Sequence, residues 1–574
     1  MRNKYFIFSG IFSLILSSCE NFLDKDPLDK ISENAIWSNK ELVEANLADL
    51  YSSMPFFDAD NGNNAHRVAY LGGELLLHNG PDSWITGVLS EKGGIMEHWA
   101  YGHIYLLNTF IQKVESSPLE RNMIEIRKAE ARFLRAFQYF EMVKRYGGVP
   151  IITEPQSIND GDKLYVKRNS EKEVYDFIEK ECDEIEQILP EVADQYGRVT
   201  KYTVLALKSR AMLYAASIAQ FGEEQLDGLL GFPKSDVQVY YKKSYDASKK
   251  IIDSGKFSLY SKEVNKILNF QNLFLDEKNS ECIFSKVYNG KDKVGHYYDH
   301  RFFPEFLAKD YGGHGAPYLD IVQEFEYIDG REGTLDLNKL TSELVDFKEL
   351  FKDKDPRFHA SILWPESLFK GQKFLVHSGT YINGSLDITT NEVGEYDGQK
   401  WFAKSTSYKS LFTGFSVKKY VDELVAEQPL PGESDTDYMV YRYGETLLNI
   451  AEAAFELGKE EEALKYINMI RERAGIKLRN NITRDMIRHE RNVELAFEGH
   501  RYWDLRRWRT ALDELSIEKK GIEIYMDWET KKYKVSLKKA DPVVRGFSEK
   551  MYYFPITVTR ISNNPNLAPE NPGY

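Results

Sequence analysis

From residue 122 to residue 146 one apolar stripe runs through Ile126, Ala129, Phe133, Ala136, Phe137, Phe140 and Val143. At about 100° per residue these positions share one side of an α-helix, whereas a strand would scatter them over both faces. Gly147-Gly148-Val149-Pro150 then ends the helix, because glycine and proline cannot extend it. The same period predicts helices over 41–54, 97–115, 171–189, 201–220, 240–254, 439–457, 460–474 and 482–509. The length of 574 residues allows three or four domains, or one large α-rich fold.

Between the helices the texture changes. Residues 56–95 carry turn signals at Asn61-Gly62-Asn63-Asn64, Gly72-Gly73, Asn79-Gly80-Pro81 and Gly93-Gly94. Residues 256–438 are rich in Gly, Asn, Asp and aromatics, with short strand-like pieces such as Cys282-Ile283-Phe284-Ser285-Lys286-Val287. Residues 515–574 mix short strands with loops and close on Pro565, Pro569 and Pro572. Ala451 to Tyr466 resembles a tetratricopeptide hairpin: small residues let two helices approach, Gly458 permits the turn, and Ala463 and Tyr466 pack across it. Weaker pairs join 39–54 with 97–115, 122–146 with 171–189, and 201–220 with 239–254. The expected architecture is a mainly α, helical-repeat scaffold over 39–255 with a ligand loop near 56–95. A loop-rich subdomain follows over 256–438, a last helix pair over 439–514, and a strand and loop segment over 515–574.

The first residues read as an export signal. Arg2 and Lys4 form a basic n-region, Tyr5 to Leu16 an apolar h-region, and Leu16-Ser17-Ser18-Cys19 resembles a bacterial lipobox. Residues 1–18 are then a lipoprotein signal peptide, Cys19 the lipidated residue, and 19–38 a tether. No other stretch approaches the length of a spanning helix, so lipid alone would hold the chain to a membrane. Cys182 and Cys282 lie in unrelated contexts and read as buried thiols rather than as a bridge.

The formal net charge of −14 argues against nucleic acid, which needs a basic face. There is no P-loop, no dinucleotide fingerprint, no C-x-x-C and no complete H-E-x-x-H, since Val493 stands where His489-Glu490 would need a second histidine. No cofactor or metal site is expected. The densest constellation is the run from Arg488 to Trp508. On one continuous helix Arg491, Glu494, Glu498 and Arg501 fall within an arc of about 80°. They read as a structural ion network, or alternatively as an acid/base cluster.

That segment resembles the C-terminal signature of the SusD/RagB family, the glycan-capturing outer-membrane lipoproteins. Arg491, Glu494-Leu495, Phe497-Glu498-Gly499, Arg501 and Trp503-Asp504-Leu505 meet the family pattern. Further agreement comes from Asn21-Phe22-Leu23-Asp24 with Asp26-Pro27, and from Asp355-Pro356-Arg357-Phe358. Arg442-Tyr443 with Glu445, Leu447-Leu448 and Ala451-Glu452-Ala453 also matches, followed by Ile470-Arg471 and Arg473-Ala474-Gly475. Asn564-Pro565-Asn566-Leu567 to Asn571-Pro572-Gly573-Tyr574 matches the family terminus, with Glu570 where Gln is usual. The resemblance implies four tetratricopeptide-like helix pairs in a right-handed scaffold and a lid that hands oligosaccharide to a SusC-like TonB-dependent transporter. It implies a non-enzymatic protein, lipid-anchored in the outer membrane and facing the cell exterior. A glycoside hydrolase, a peptide-binding member of the family and a purely structural partner of the transporter stay open.

A sugar ring has an apolar C–H face and a hydroxyl rim, so aromatic rings on polar loops are the candidates. Trp84, with Asn79 and Asp82, fits best. Tyr297 and Tyr298 in Gly295 to Arg301, and Tyr311 with His314, come next. Trp364 and Trp401 are further loop candidates, while Trp99, Trp503 and Trp508 read as helix-borne core.

Overall fold

The computed structural model describes residues 33–55, 67–77, 85–87, 89–94, 96–292, 294–407 and 409–574. Cys19, Asn79, Asp82 and Trp84 lie outside the described residues. The chain is 45% helical and 13% strand, so it is mainly α.

The scaffold helices are α1 (Lys40–Ser52), α2 (Tyr101–Lys113), α3 (Arg121–Tyr146), α4 (Glu171–Glu186), α5 (Lys201–Phe221) and α6 (Val237–Asp253). Further along come α7 (Tyr443–Glu456), α8 (Glu460–Ala474), α9 (Arg484–Glu494) and α10 (Arg501–Arg507). They pack as a succession: α2 on α3, α3 on α4, α4 on α5, α5 on α6, α6 on α7, and α7 on α8. The stripe of α3 lies inward, with Phe133, Phe137, Phe140 and Val143 buried. Gly147 closes α3 at φ +68°, and a Cβ there would come within 2.3 Å of Leu230 Cδ2, so both conformation and space demand glycine. Serines let α5 and α6 approach closely. Ser209 Oγ lies 2.7 Å from Ser248 Oγ, Ser244 Oγ donates to the Ser209 carbonyl at 2.8 Å, and Asn449 of α7 donates to Ser209 Oγ at 3.1 Å.

Three helix expectations are corrected. Residues 97–100 are not helical, so Trp99 precedes α2 instead of riding on it. Tyr438–Arg442 is a strand paired with Cys282–Lys286, and α7 begins only at Tyr443. The helix expected over 482–509 breaks between Glu494 and Arg501. Phe497 takes φ +64° and Gly499 φ +75°, and the Phe497 N–H donates to Glu74 Oε1 at 2.8 Å in place of a helical carbonyl.

Strands join distant parts of the chain. Lys520–Asp527 and Lys532–Lys539 form an antiparallel hairpin longer than the short strands expected there. Its first strand runs parallel to Gly379–Ile382, with Tyr525 opposite Gly379, so residues 256–438 and 515–574 share one sheet. The terminus returns to the scaffold: Arg168 donates to the Pro569 carbonyl and to Asn571 Oδ1, each at 2.7 Å.

Candidate ligand-binding cleft

Tyr297 stands on the wall of a cleft of about 580 Å3, within the range of pockets that hold a small organic ligand. The end of α1 contributes Tyr51, the α4–α5 link contributes Tyr196 and Arg198, and the strand Cys282–Lys286 with its continuation contributes Phe284, Lys286 and Tyr288. Two glycines bring these walls together. A Cβ on Gly197, at φ +86°, would sit 2.6 Å from Val287 Cγ2, and one on Gly295 would sit 2.3 Å from the Ser434 carbonyl. Any side chain at either position would push a wall outward.

The polar groups behind the rings are tied down. Arg198 donates to Glu44 at 2.7 Å and to Glu130 at 3.1 Å, with its guanidinium 6.0 Å from the centre of the Tyr51 ring. Tyr51 donates to Glu130 at 2.5 Å, and burial followed by the Glu130 charge raises its pKa well above the phenol range. His296 accepts the Tyr298 N–H on Nδ1 at 3.0 Å and meets the Thr436 carbonyl through Nε2 at 2.9 Å, an arrangement that fits the neutral ring. Its ring packs edge-on to Tyr288 at 4.9 Å. Asp437 accepts the Tyr288 N–H at 3.0 Å, and burial pushes its carboxyl up to about 6. Tyr51, Tyr288 and His296 are thus held by their neighbours before any ligand arrives.

The structure separates the other candidate rings. Tyr298, one residue from Tyr297, is 4% exposed, packs on Phe302 and Tyr420, and donates to the Lys419 carbonyl at 2.9 Å; it belongs to the core. Tyr311 is 58% exposed and stacks on buried His314 at 6.0 Å, away from the lining of the cleft. Tyr311 and Tyr297 both act electrostatically on Arg301, whose pKa is lowered first by burial. Trp401 is wholly buried, stacked on His377 at 4.6 Å and donating to Thr380 Oγ1 at 3.3 Å, because its hairpin folds against the strand Gly379–Ile382. Trp364 is half-buried and donates to His359 at 3.1 Å. Trp401 is therefore not a loop platform, whereas Trp364 keeps part of its surface exposed. Tyr196 and Tyr288 were missed by sequence reasoning, although Tyr196-Gly197 and Tyr288-Asn289-Gly290 both place a ring beside a turn glycine.

The charges of the C-terminal signature fall into separate buried groups. Glu494 and Glu498 share Arg442, which donates to Glu494 Oε1 at 2.8 Å and to both oxygens of Glu498 at 2.7 Å. Arg357, Arg473, Lys419 and Glu281 belong to the same group. Burial alone would raise the Glu494 carboxyl, but Arg473, Arg442 and Arg357 outweigh it and hold it well below the carboxylate range. Arg491 instead joins Asp504 at 2.8 Å and Asn449 at 2.8 Å, and Arg501 pairs with Glu514 at the rim. The four residues therefore do not line one helix face, because the backbone turns after Glu494.

Among the described residues no helix is long and apolar enough to cross a membrane, and no group of three His, Cys, Asp or Glu could hold a metal ion. Cys182 and Cys282 are free thiols, the first buried and the second half-buried.

Known proteins resemble the chain over nearly its whole length. A SusD-like protein of Formosa agariphila is 24% identical over 542 residues, covering 89% of this chain and 92% of its own. A second from the same organism is 22% identical and covers both chains fully. A crystal structure of a SusD-like carbohydrate-binding protein from Bacteroides fragilis has a TM-score of 0.70 at 23% identity, covering 93% of this chain and all of its own. A laminarin-binding SusD-like protein has a TM-score of 0.59 at 20% identity, covering 94% of this chain and all of its own. Residues 21–213 match the family described as starch-binding and associating with the outer membrane. Residues 280–574, more than half of the chain, match the SusD family, and the chain belongs to that family.

Proposed function

We propose that this protein is a cell-surface lipoprotein that captures oligosaccharide and delivers it to a SusC-like TonB-dependent transporter, acting as its lid. The observation that carries the reading is the cleft of Tyr196, Tyr288 and Tyr297, where rings and hydrogen-bonding groups meet in a space of saccharide size. The carbohydrate-binding and laminarin-binding relatives support it. Anchoring through Cys19 to the outer membrane accords with the family description. The helix pairs face the transporter and the inserted loops face the ligand. Trp84, Asn79 and Asp82 are, from the sequence, further sugar contacts on the loop near 56–95.

A glycosidase needs two carboxyl groups about 5–10 Å apart across the bond to be cut. Among the described residues that line the cleft there is no carboxylate.

The test is calorimetric titration of the purified protein against a panel of defined polysaccharides, with product analysis of the same mixtures and co-purification from the native membrane. Saturable binding without shortened products, and recovery of a TonB-dependent barrel, is the expected result. Shortened products would make it a hydrolase. An absence of binding across the panel would leave a structural partner of the transporter.

A further inference from the structure

A second cavity, of about 560 Å3, lies at the other end of α5. The cleft takes Tyr196 and Arg198 from just before Lys201, where α5 begins, whereas this cavity takes Phe221, where α5 ends. At about 1.5 Å per residue the helix sets these walls roughly 30 Å apart, and the two spaces share no lining residue. Arg509, on the wall of the second cavity, follows α10 in the left-handed region at φ +59°. Its N–H donates to the Arg506 carbonyl at 3.2 Å, and the Thr510 N–H donates to the Leu505 carbonyl at 3.0 Å. Glycine ordinarily makes this closure of a helix, so an arginine there holds a strained backbone, and such strain points to a side chain that is needed. Gly222 leaves the room for it, since a Cβ there would lie 3.3 Å from Arg509 Nε. The guanidinium lies 4.6 Å from the centre of the Tyr552 ring and 5.1 Å from that of Tyr553, and it donates to Tyr553 Oη at 3.0 Å and to the Arg506 carbonyl at 3.2 Å. Among the described residues no carboxylate pairs with it.

The acceptors of this cavity are equally unspent. Glu223, Asp513 and Glu549 line it, are exposed, and make no hydrogen bond or ion pair among the described residues. The other cation of the lining, Lys550, already donates to the Leu89 carbonyl at 2.6 Å. Guanidinium only donates, carboxylates only accept, and the amide of Gln225 does both. A sugar hydroxyl donates and accepts at once, so it uses both kinds of group. An anionic ligand would meet three carboxylates against two cations, and a cationic one would meet Arg509. Phe221, Leu512 and Pro572 are half-buried in the lining and offer apolar surface to the C–H face of a sugar ring.

We propose that this cavity is a second saccharide site, separate from the Tyr297 cleft, which takes a neutral sugar chain by donating from Arg509 to its oxygens and accepting from its hydroxyls on Glu223, Asp513 and Glu549. The intact protein is titrated with maltohexaose, laminarihexaose, xylohexaose and hexagalacturonate, and amide hydrogen exchange is followed with each sugar at saturation. A neutral hexasaccharide is expected to slow exchange over residues 509–513 and 549–553, and to do so still in the Tyr196→Ala, Tyr297→Ala double variant. Arg509→Gly relieves the backbone and is expected to remove that protection and to lower the affinity measured in the double variant about tenfold. Should Arg509→Gly fail to fold, Asp513→Ala, on an exposed side chain, is expected to lower the same affinity. Protection confined to the Tyr297 cleft, or protection over 509–513 and 549–553 that survives Arg509→Gly, overturns the second site and leaves the cleft standing. Protection over 509–513 and 549–553 alone overturns the cleft and leaves the second site standing. Hexagalacturonate bound here more tightly than the neutral sugars overturns the neutral ligand, and no binding by any of the four overturns both sites.

Discussion

Arg357 Nη1 lies 2.9 Å from Glu494 Oε2, with 1% and 0% of the two side chains exposed. The pair joins the mid-chain Asp-Pro-Arg-Phe segment to the C-terminal signature across 137 residues of sequence. Arg357 also donates to Glu490 at 2.7 Å and to Asp355 at 2.8 Å, so one guanidinium ties three carboxylates together. Removing either partner strands a charge out of water, at a cost of about 3–5 kcal/mol. Arg357→Met and Glu494→Gln should each lower stability by that amount in urea unfolding. The double variant should lose less than the sum of the two. Additive losses would show that the two residues act independently.

The stripe of α3 was legible because its burial follows one period, and only glycine and proline could end it where it ends. The break after Glu494 was not. Leu495, Ala496 and Phe497 favour no turn by themselves; the reversal depends on Glu74, which is remote in sequence and accepts the Phe497 N–H. That is tertiary context overriding local preference. The rings show the same limit. Tyr297 and Tyr298 are neighbours with identical chemistry, and only the placement of the short helix Tyr298–Phe302 turns one to the cleft and the other to the core. Trp401 sits in loop-like sequence, yet a hairpin folds it against His377.

The contrast between those two tyrosines is itself a test. Tyr297→Ala should weaken glycan binding about tenfold in calorimetry, with the thermal midpoint nearly unchanged. Tyr298→Ala should instead cost about 3–5 kcal/mol of stability, because it empties a packed site between Phe302 and Tyr420. Tyr196→Ala should behave as Tyr297→Ala does. Unaltered affinity in both cleft variants would remove the cleft from the binding site.

Trp84 makes a separate claim, since it rests on sequence alone. The run Asn79-Gly80-Pro81-Asp82-Ser83-Trp84 offers a ring among hydroxyl-binding side chains. Trp84→Ala should abolish measurable glycan binding while leaving the thermal unfolding midpoint nearly unchanged. A fall in the midpoint would instead assign the ring to the core, and unchanged affinity would exclude it from the site.

Asp299 links the cleft region to pH. It accepts the Asp422 N–H at 3.0 Å, its own N–H donates to Ser434 Oγ at 3.3 Å, and Ser434 also bridges to His296 through its backbone. Burial pushes the carboxyl up to about 6; the charges of Asp422 and Asp435 add to this, while the Asp422 N–H and Ser434 hydroxyl oppose it. The unfolded value is about 3.9, so the folded state holds the proton more tightly. The stabilisation this provides is fully present below about pH 4 and is lost as pH rises through about 6. At about 1.4 kcal/mol per unit the loss is about 3 kcal/mol. Asp299→Asn keeps an oxygen for the Asp422 N–H but cannot titrate. Measured by denaturant unfolding between about pH 4 and pH 7, the variant should therefore gain on the unaltered protein by about that amount as pH rises. Parallel stability curves for the two proteins would show that Asp299 ionises without strain, and would reject the role assigned to its burial.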